Sequence, residues 1–216
     1  MAQSNGASRE RILTRVRAAL RERPTAAEPV PPPRMIFPPV VDALDRFRKE
    51  CVTNITECVV TPDLRATGVA VKEALLSIPL GEIFIQDSPQ LHSVAEQFAK
   101  DREIQWSSEG RPKEHSQATI TACEALVAQT GSVLVSAACG GRGASVVAPV
   151  HIVVATIEQL VPDLDAALAA VQSRGAVSAN SYLCLVTGSS RTADIEKILV
   201  MGAHGPRRLI VFLSLA

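Results

Sequence analysis

From Val40 to the carboxyl terminus, short runs of β-branched and aliphatic residues alternate with segments of helical period, and this alternation restricts the fold more than any other feature. Strands joined by helical crossovers pair in parallel, and a parallel sheet needs helices on its faces. The spacing predicts helices over Val41–Thr53, with Leu44, Phe47 and Val52 inward, over Pro62–Ser77 with Pro62 in the first turn, and over Ser88–Lys100. It predicts strands over Glu57–Val60, Glu82–Gln86 and Ile104–Trp106. The middle differs. Ala118–Thr121, Ala125–Ala128, Ser132–Ala137 and Ala144–Ala148 are short apolar pieces divided by glycines and small residues, which suits tight turns and antiparallel strands. Alternation then resumes, with strands over His151–Ala155, Tyr182–Thr187 and Arg208–Leu213. Between them fall a helix over Asp163–Gln172, closed near Gly175, and one over Thr192–Met201, ended at Gly202. The expected fold class is α/β: a Rossmann-like, mainly parallel sheet flanked by helices, with an inserted antiparallel portion.

Ahead of this lies a different kind of segment. Ser8–Arg23 places Ile12, Val16, Ala19 and Leu20 at helical spacing among arginines, with Ser8 as a candidate cap. Pro24 ends that pattern, and Pro29, Pro31, Pro32, Pro33, Pro38 and Pro39 crowd the next stretch. Proline removes the N–H that a helix or an inner strand requires, so an extended linker is expected. The chain thus reads as an amphipathic helix with a Pro-rich linker over 1–39 and an α/β domain over 40–216.

Charge and cysteine usage exclude several functions. Lys plus Arg and Asp plus Glu number 22 each, and the chain has one Trp (Trp106) and one Tyr (Tyr182). Neither a basic field nor stacking platforms are available for nucleic acid. No apolar run approaches the length of a membrane span, and the start lacks the apolar core of a secretory signal, so a cytoplasmic protein is expected. Cys51, Cys58, Cys123, Cys139 and Cys184 form neither a C-x-x-C pair nor a ferredoxin-type run. Reduced thiols, no metal and no cofactor are expected.

The segment richest in chemistry is Thr187-Gly188-Ser189-Ser190-Arg191-Thr192-Ala193-Asp194-Ile195-Glu196, where a strand pattern runs into a helix pattern. If a parallel strand runs into this turn, backbone N–H groups, hydroxyls and the Arg191 guanidinium converge at the sheet's carboxyl edge and a helix N-terminus. That is a setting for a small carboxylate or phosphate. The competing reading is purely structural: Ser190 or Thr192 caps the helix, and Asp194 and Glu196 complement its dipole and occupy Arg191. The spacing is not that of a phosphate loop. His151, before an apolar strand, reads as a hydrogen-bonded core histidine. Gly205-Pro206 reads as a turn at the opposite, amino edge, with His204 beside it left open, and Cys139 near Arg142 as an unreactive loop thiol.

Three blocks in the second half, from Ala118 to Leu213, resemble the lactate utilization protein C family, the LUD domain. "TGSSRTADIEKILVMGAHGPRRLIVFL" resembles its T-G-P-S-R-T-A-D-I-E signature followed by G-x-H-G-P, with Ser189 where the family usually has Pro. "ATITACEALVAQTGSVLV" resembles a second signature containing A-E-T-G-T, read here as Ala128-Gln129-Thr130-Gly131-Ser132, so that Gln129 replaces the usual acid. "GRGASVVAPVHIVVATIEQLVPDLDAAL" resembles a third. The resemblance implies a fold similar to the sugar-isomerase and CoA-transferase group. It also implies a role in oxidising L-lactate to pyruvate, beside larger iron–sulfur partner proteins that carry the redox work. Gln129 cannot act as the carboxylate nucleophile that CoA-transferase-like enzymes use. Three readings follow: an accessory component that binds a small carboxylate or a partner, a stand-alone enzyme for a small anionic metabolite, or a regulatory or scaffold module. The site residues carried forward are Gly188, Ser189, Ser190, Arg191 and Thr192, with Gln129, Thr130, Gly131, His151, Asp194, Glu196 and His204 as secondary candidates.

Overall fold

The computed structural model describes residues 3–21, 38–110, 114–192, 200–201 and 205–216. The chain divides into two compact units, Met1–Pro38 and Pro39–Ala216. In the first, helix α1 (Gln3–Arg21) starts ahead of Ser8, which therefore lies inside it and is not its cap. Its apolar stripe, Ile12, Val16 and Leu20, is exposed.

In the second unit, α2 (Ala43–Thr53) opens where the Asp42 carboxylate accepts the Asp45 N–H. Phe47 is buried as expected, but Val52 is exposed and Cys51 takes the inward place. Cys51 lies four residues beyond Phe47, on the same helical face, and Val52 is turned off it. Strand β1 (Glu57–Thr61) follows, then α3 (Leu64–Leu75). Asp63 caps α3 by accepting the Ala66 N–H, which leaves Pro62 outside the helix instead of in its first turn. Next come β2 (Ile83–Ile85), α4 (Pro89–Ala95), capped by Ser88 and ended ahead of the expected Lys100, and β3 (Ile104–Trp106).

The middle contributes β4 (Ala118–Thr121), β5 (Ala125–Val127), β6 (Ser132–Ser136), β7 (Val150–Thr156) and β8 (Leu160–Val161). Ala144–Ala148 is not a strand. Its N–H groups bond locally, Ala144 to the Gly141 carbonyl and Val147 to that of Gly143, so it folds into turns. Helices α5 (Leu164–Ser173), capped by Asp163, and α6 (Ala176–Ala179) lead to β9 (Leu183–Val186). The chain continues with β10 (Arg191–Thr192), β11 (Val200–Met201) and β12 (Arg208–Ser214).

Six strands form the central sheet in the order β1-β12-β7-β4-β2-β3, and every neighbouring pair is parallel. The fold is mixed α/β and Rossmann-like. The antiparallel portion is a second sheet in the order β8-β5-β6-β9, with β6 antiparallel to both its neighbours. Helices α3 and α4 cover one face of the central sheet, where Val71, Leu75, Leu91 and Val94 meet Ile120, Ile152 and Phe212. The other face, carrying Val153, Leu209, Val211 and Leu213, packs against Phe47 and Cys51 of α2 and against Leu126, Val133 and Val135. The intervening positions Ala125, Val127 and Leu134 point the other way, onto Ala167 and Val171 of α5. Period-two alternation therefore makes the second sheet a buried layer between the central sheet and α5. No helix among the described residues is long and apolar enough to cross a membrane.

Two expectations about the end of the chain change. The strand before Gly188 is β9, an edge of the second sheet paired antiparallel with β6, and so not a parallel strand of the central sheet. The expected helix over Thr192–Met201 is absent at both its ends, where Arg191 pairs with Met201 and Thr192 with Val200 as antiparallel strands. Residues 193–199, including Asp194 and Glu196, lie outside the described residues. The physical reason is that an apolar run such as Leu183–Val186 fits either sheet, since its partner is set by residues far away in sequence.

Candidate functional site

The site is best built from Asn54, the residue that ends α2. Its backbone N–H donates to the Glu50 carbonyl and the next N–H, of Ile55, to that of Val52, closing the helix. Its side-chain Nδ2 donates to the Thr130 carbonyl at 2.8 Å. Arg46, two turns earlier on α2, donates to the Gln129 carbonyl at 3.2 Å. The Gln129–Gly131 turn between β5 and β6 is thereby fastened to α2 through its backbone, and Gly131 adopts a positive φ of 62°. A Cβ on Gly131 would stand 2.7 Å from the Glu50 Cβ, so the turn seats against the helix only because this residue has no side chain.

The Gly188 segment reaches the same place from another direction. Gly188 has a φ of 78°, and a Cβ there would stand 2.3 Å from the Asn54 carbonyl oxygen. A chain of hydroxyls joins the two segments: Thr130 Oγ1 to Ser132 Oγ at 2.8 Å, and Ser132 Oγ to Thr187 Oγ1 at 2.7 Å. Beyond Gly188, the Ser190 N–H donates to the Pro206 carbonyl at 2.8 Å. Gly188–Ser190 therefore runs beside the chain entering β1 and β12, at the amino edge of the central sheet. This corrects the expectation of a carboxyl-edge site, and it places Gly205-Pro206 beside this segment instead of across the sheet from it.

The candidate residues are thus partly assembled. Thr130 and Gly188 meet at Asn54, Gln129 and Gly131 lie against α2 at Arg46 and Glu50, Ser190 reaches Pro206, and Arg191 follows as an exposed residue at the start of β10. The side chain of Thr192 and the whole of Asp194, Glu196 and His204 lie outside the described residues. Ser189 is buried, and its hydroxyl has no hydrogen-bond partner among the described residues.

His151 lies elsewhere, fully buried in β7, where its Nε2 meets Thr121 Oγ1 at 2.9 Å. Burial pushes its pKa down to about 4, so the ring is neutral at neutral pH. Glu124, the carboxylate nearest Gln129 in sequence, accepts from Ser136 Oγ at 2.6 Å and pairs with Arg174 at 3.4 Å. It is committed to joining β6 and the end of α5 to its own turn. The Cys139 thiol is buried, and desolvation raises its pKa against weaker opposing hydrogen bonds from Ser136. No group of three or more metal-ligating side chains occurs among the described residues.

Asn54 escaped the sequence reading, while Ser132 and Thr187 stand in its motifs but not among the site residues carried forward. Ser132 and Thr187 directly flank the two glycine motifs, and two Thr/Ser-Gly pairs on separate apolar strands were the available signal. Asn54 had none, because its role depends on where α2 ends in space.

Comparison with known proteins agrees with this architecture. The LUD domain matches residues 42–214. Lactate utilization protein C of Bacillus subtilis is 27% identical over 231 aligned positions, covering 92% of each chain. Lactate utilization protein C of Deinococcus radiodurans is 33% identical over 100 residues, which span 45% of this chain and 46% of that protein. A crystal structure of a DUF162-family protein from Deinococcus radiodurans superposes with a TM-score of 0.61 at 18% identity, over 80% of this chain and 96% of that one. With the LUD match spanning the whole of the second unit's central sheet, from ahead of α2 to the end of β12, this chain belongs to the LUD-domain family.

Proposed function

We propose that this protein is an accessory component of a lactate-utilization system, acting in the cytoplasm beside iron–sulfur proteins that oxidise L-lactate to pyruvate. Its part is to hold a small carboxylate, or a partner's acidic group, at the surface formed by Gln129–Gly131 and Gly188–Thr192. The segment 1–39 is an appendage to the functional domain over 40–216. The observation that carries this reading is the convergence of two glycine signatures on Asn54, joined by the Thr130–Ser132–Thr187 hydroxyls. Two backbones brought so close by side-chain-free residues make a rigid platform, and Arg191 stands exposed just beyond it. A guanidinium on such a platform suits bidentate recognition of a carboxylate or phosphate. Support for an accessory role comes from Glu124 and Gln129, neither of which offers a free carboxylate for acyl transfer.

Calorimetric titration of L-lactate, pyruvate and inorganic phosphate into wild type and Arg191→Ala tests the binding. At least one of these anions should bind the wild type, and the variant should lose roughly 1–3 kcal/mol of that affinity, as for a charge-assisted hydrogen bond. Equal affinities, or no heat with any of them, would remove anion recognition by Arg191 from the proposal.

A further inference from the structure

Beside this surface, and independent of whether it binds an anion, lies a pair of thiols. Cys51 is fully buried on the last turn of α2, and Cys58 is half-buried on β1, the edge strand of the central sheet. The Ile55 turn between them is tight: the Thr56 N–H returns to the Cys51 carbonyl at 2.8 Å, and Ile55 takes a positive φ of 55°. Cys51 belongs to a core cluster against which Cys58 packs, and the two thiols are near enough to interact electrostatically.

We propose that Cys51 and Cys58 are a redox modification site, closed to an intramolecular disulfide by a low-molecular-weight disulfide such as oxidised glutathione. The more accessible Cys58 attacks first. Its thiolate forms a bond to one sulfur of the small disulfide, whose other sulfur leaves and takes up a proton. Cys51 then attacks the Cys58 sulfur, gives up its proton and expels the second small thiol. Two protein thiols are oxidised to one disulfide while one small disulfide is reduced to two thiols. The electrostatics favour this order. The neighbouring Cys51 thiol, and after it the Arg48 charge, draw the Cys58 thiol below its ordinary pKa against the effect of burial. That same interaction and burial raise Cys51, which keeps its proton until the first exchange has occurred. Cys123 and Cys139, buried with pKa values raised by desolvation, lack such a partner-assisted thiolate.

The consequence is local. The new bond would tie the end of α2 to β1 on either side of Asn54, the residue on which the Thr130 and Gly188 segments rest.

The test is incubation of the native full-length chain with oxidised glutathione, followed by alkylation, digestion and mass mapping. Wild type should lose two hydrogens and yield a peptide pair cross-linked between Cys51 and Cys58, reversed by dithiothreitol. Cys51→Ser should stop at a stable glutathione adduct on Cys58, and Cys58→Ser should leave Cys51 unmodified. A wild type that stays reduced would overturn the proposal, as would one that keeps the glutathione adduct or that cross-links any other pair. Because the wild-type map alone decides, misfolding of either variant would not leave the question open.

Discussion

Gly188→Ala is expected to cost about 3 kcal/mol of stability or more, the largest effect of any single added methyl in the candidate site. Two terms add. An L-residue at a φ of 78° carries a left-handed penalty of roughly 1–2 kcal/mol. The new Cβ would also stand 2.3 Å from the Asn54 carbonyl oxygen, a backbone atom with little freedom to withdraw. Asn54 is held at both ends, by its N–H bond to the Glu50 carbonyl and by its side chain on Thr130. Either α2 or the Gly188 segment must therefore shift, at a cost comparable to overpacking a core. Gly175→Ala is the control: its φ is 71°, but a Cβ there meets nothing within 4 Å. Only the conformational term should appear, about 1 kcal/mol. Chemical denaturation of both variants checks the pair, and equal losses would show that Gly188 does not approach Asn54 as described.

Acidification should remove on the order of 3 kcal/mol through His151 alone. Its pKa falls from an ordinary 6.5 to about 4 in the fold, because burial disfavours the imidazolium. The unfolded chain takes up a proton below 6.5, while the folded chain resists until about 4. Protons therefore favour unfolding across that window: the contribution is complete above 6.5 and is lost as the pH falls through it. Asp87 and Asp101 do not share this window. Their pKa values are lowered, Asp87 chiefly by a hydrogen bond from Ser108 and Asp101 by one from Lys72, so they act below 3.8. Urea unfolding between pH 7 and 4 should show the slope in wild type and a flatter curve in His151→Gln. Parallel curves would mean that His151 is not buried in its neutral form.

These two residues also show how far the sequence could be read. His151 sits before an apolar run, and a buried strand predicts a hydrogen-bonded core histidine; Thr121 supplies the bond. The parallel sheet was legible for a similar reason, since strands such as Ile83–Ile85 and Val150–Thr156 are apolar on both faces and alternate with capped helices. Boundaries followed where a local cap fixes them, as at Ser88 and Asp163. What failed was pairing between distant segments. Leu183–Val186 looks like any other apolar strand, and only its contact with β6 removes it from the central sheet. Once that assignment moved, the Gly188 segment moved with it, from the carboxyl edge to the amino edge beside Pro206. The elements around the motif were not legible, because its glycines record close backbone approaches whose partners, Glu50 and Asn54, lie far away in the chain.

The proposed role in lactate oxidation through this surface is tested most directly by measuring L-lactate oxidation in cells of the source organism from which the gene has been deleted. Deletion should abolish oxidation of added L-lactate, wild-type protein should restore it, and Arg191→Ala, expressed at the same level, should restore markedly less. Oxidation at the parental rate in the deletion strain, or full rescue by Arg191→Ala, would contradict the account.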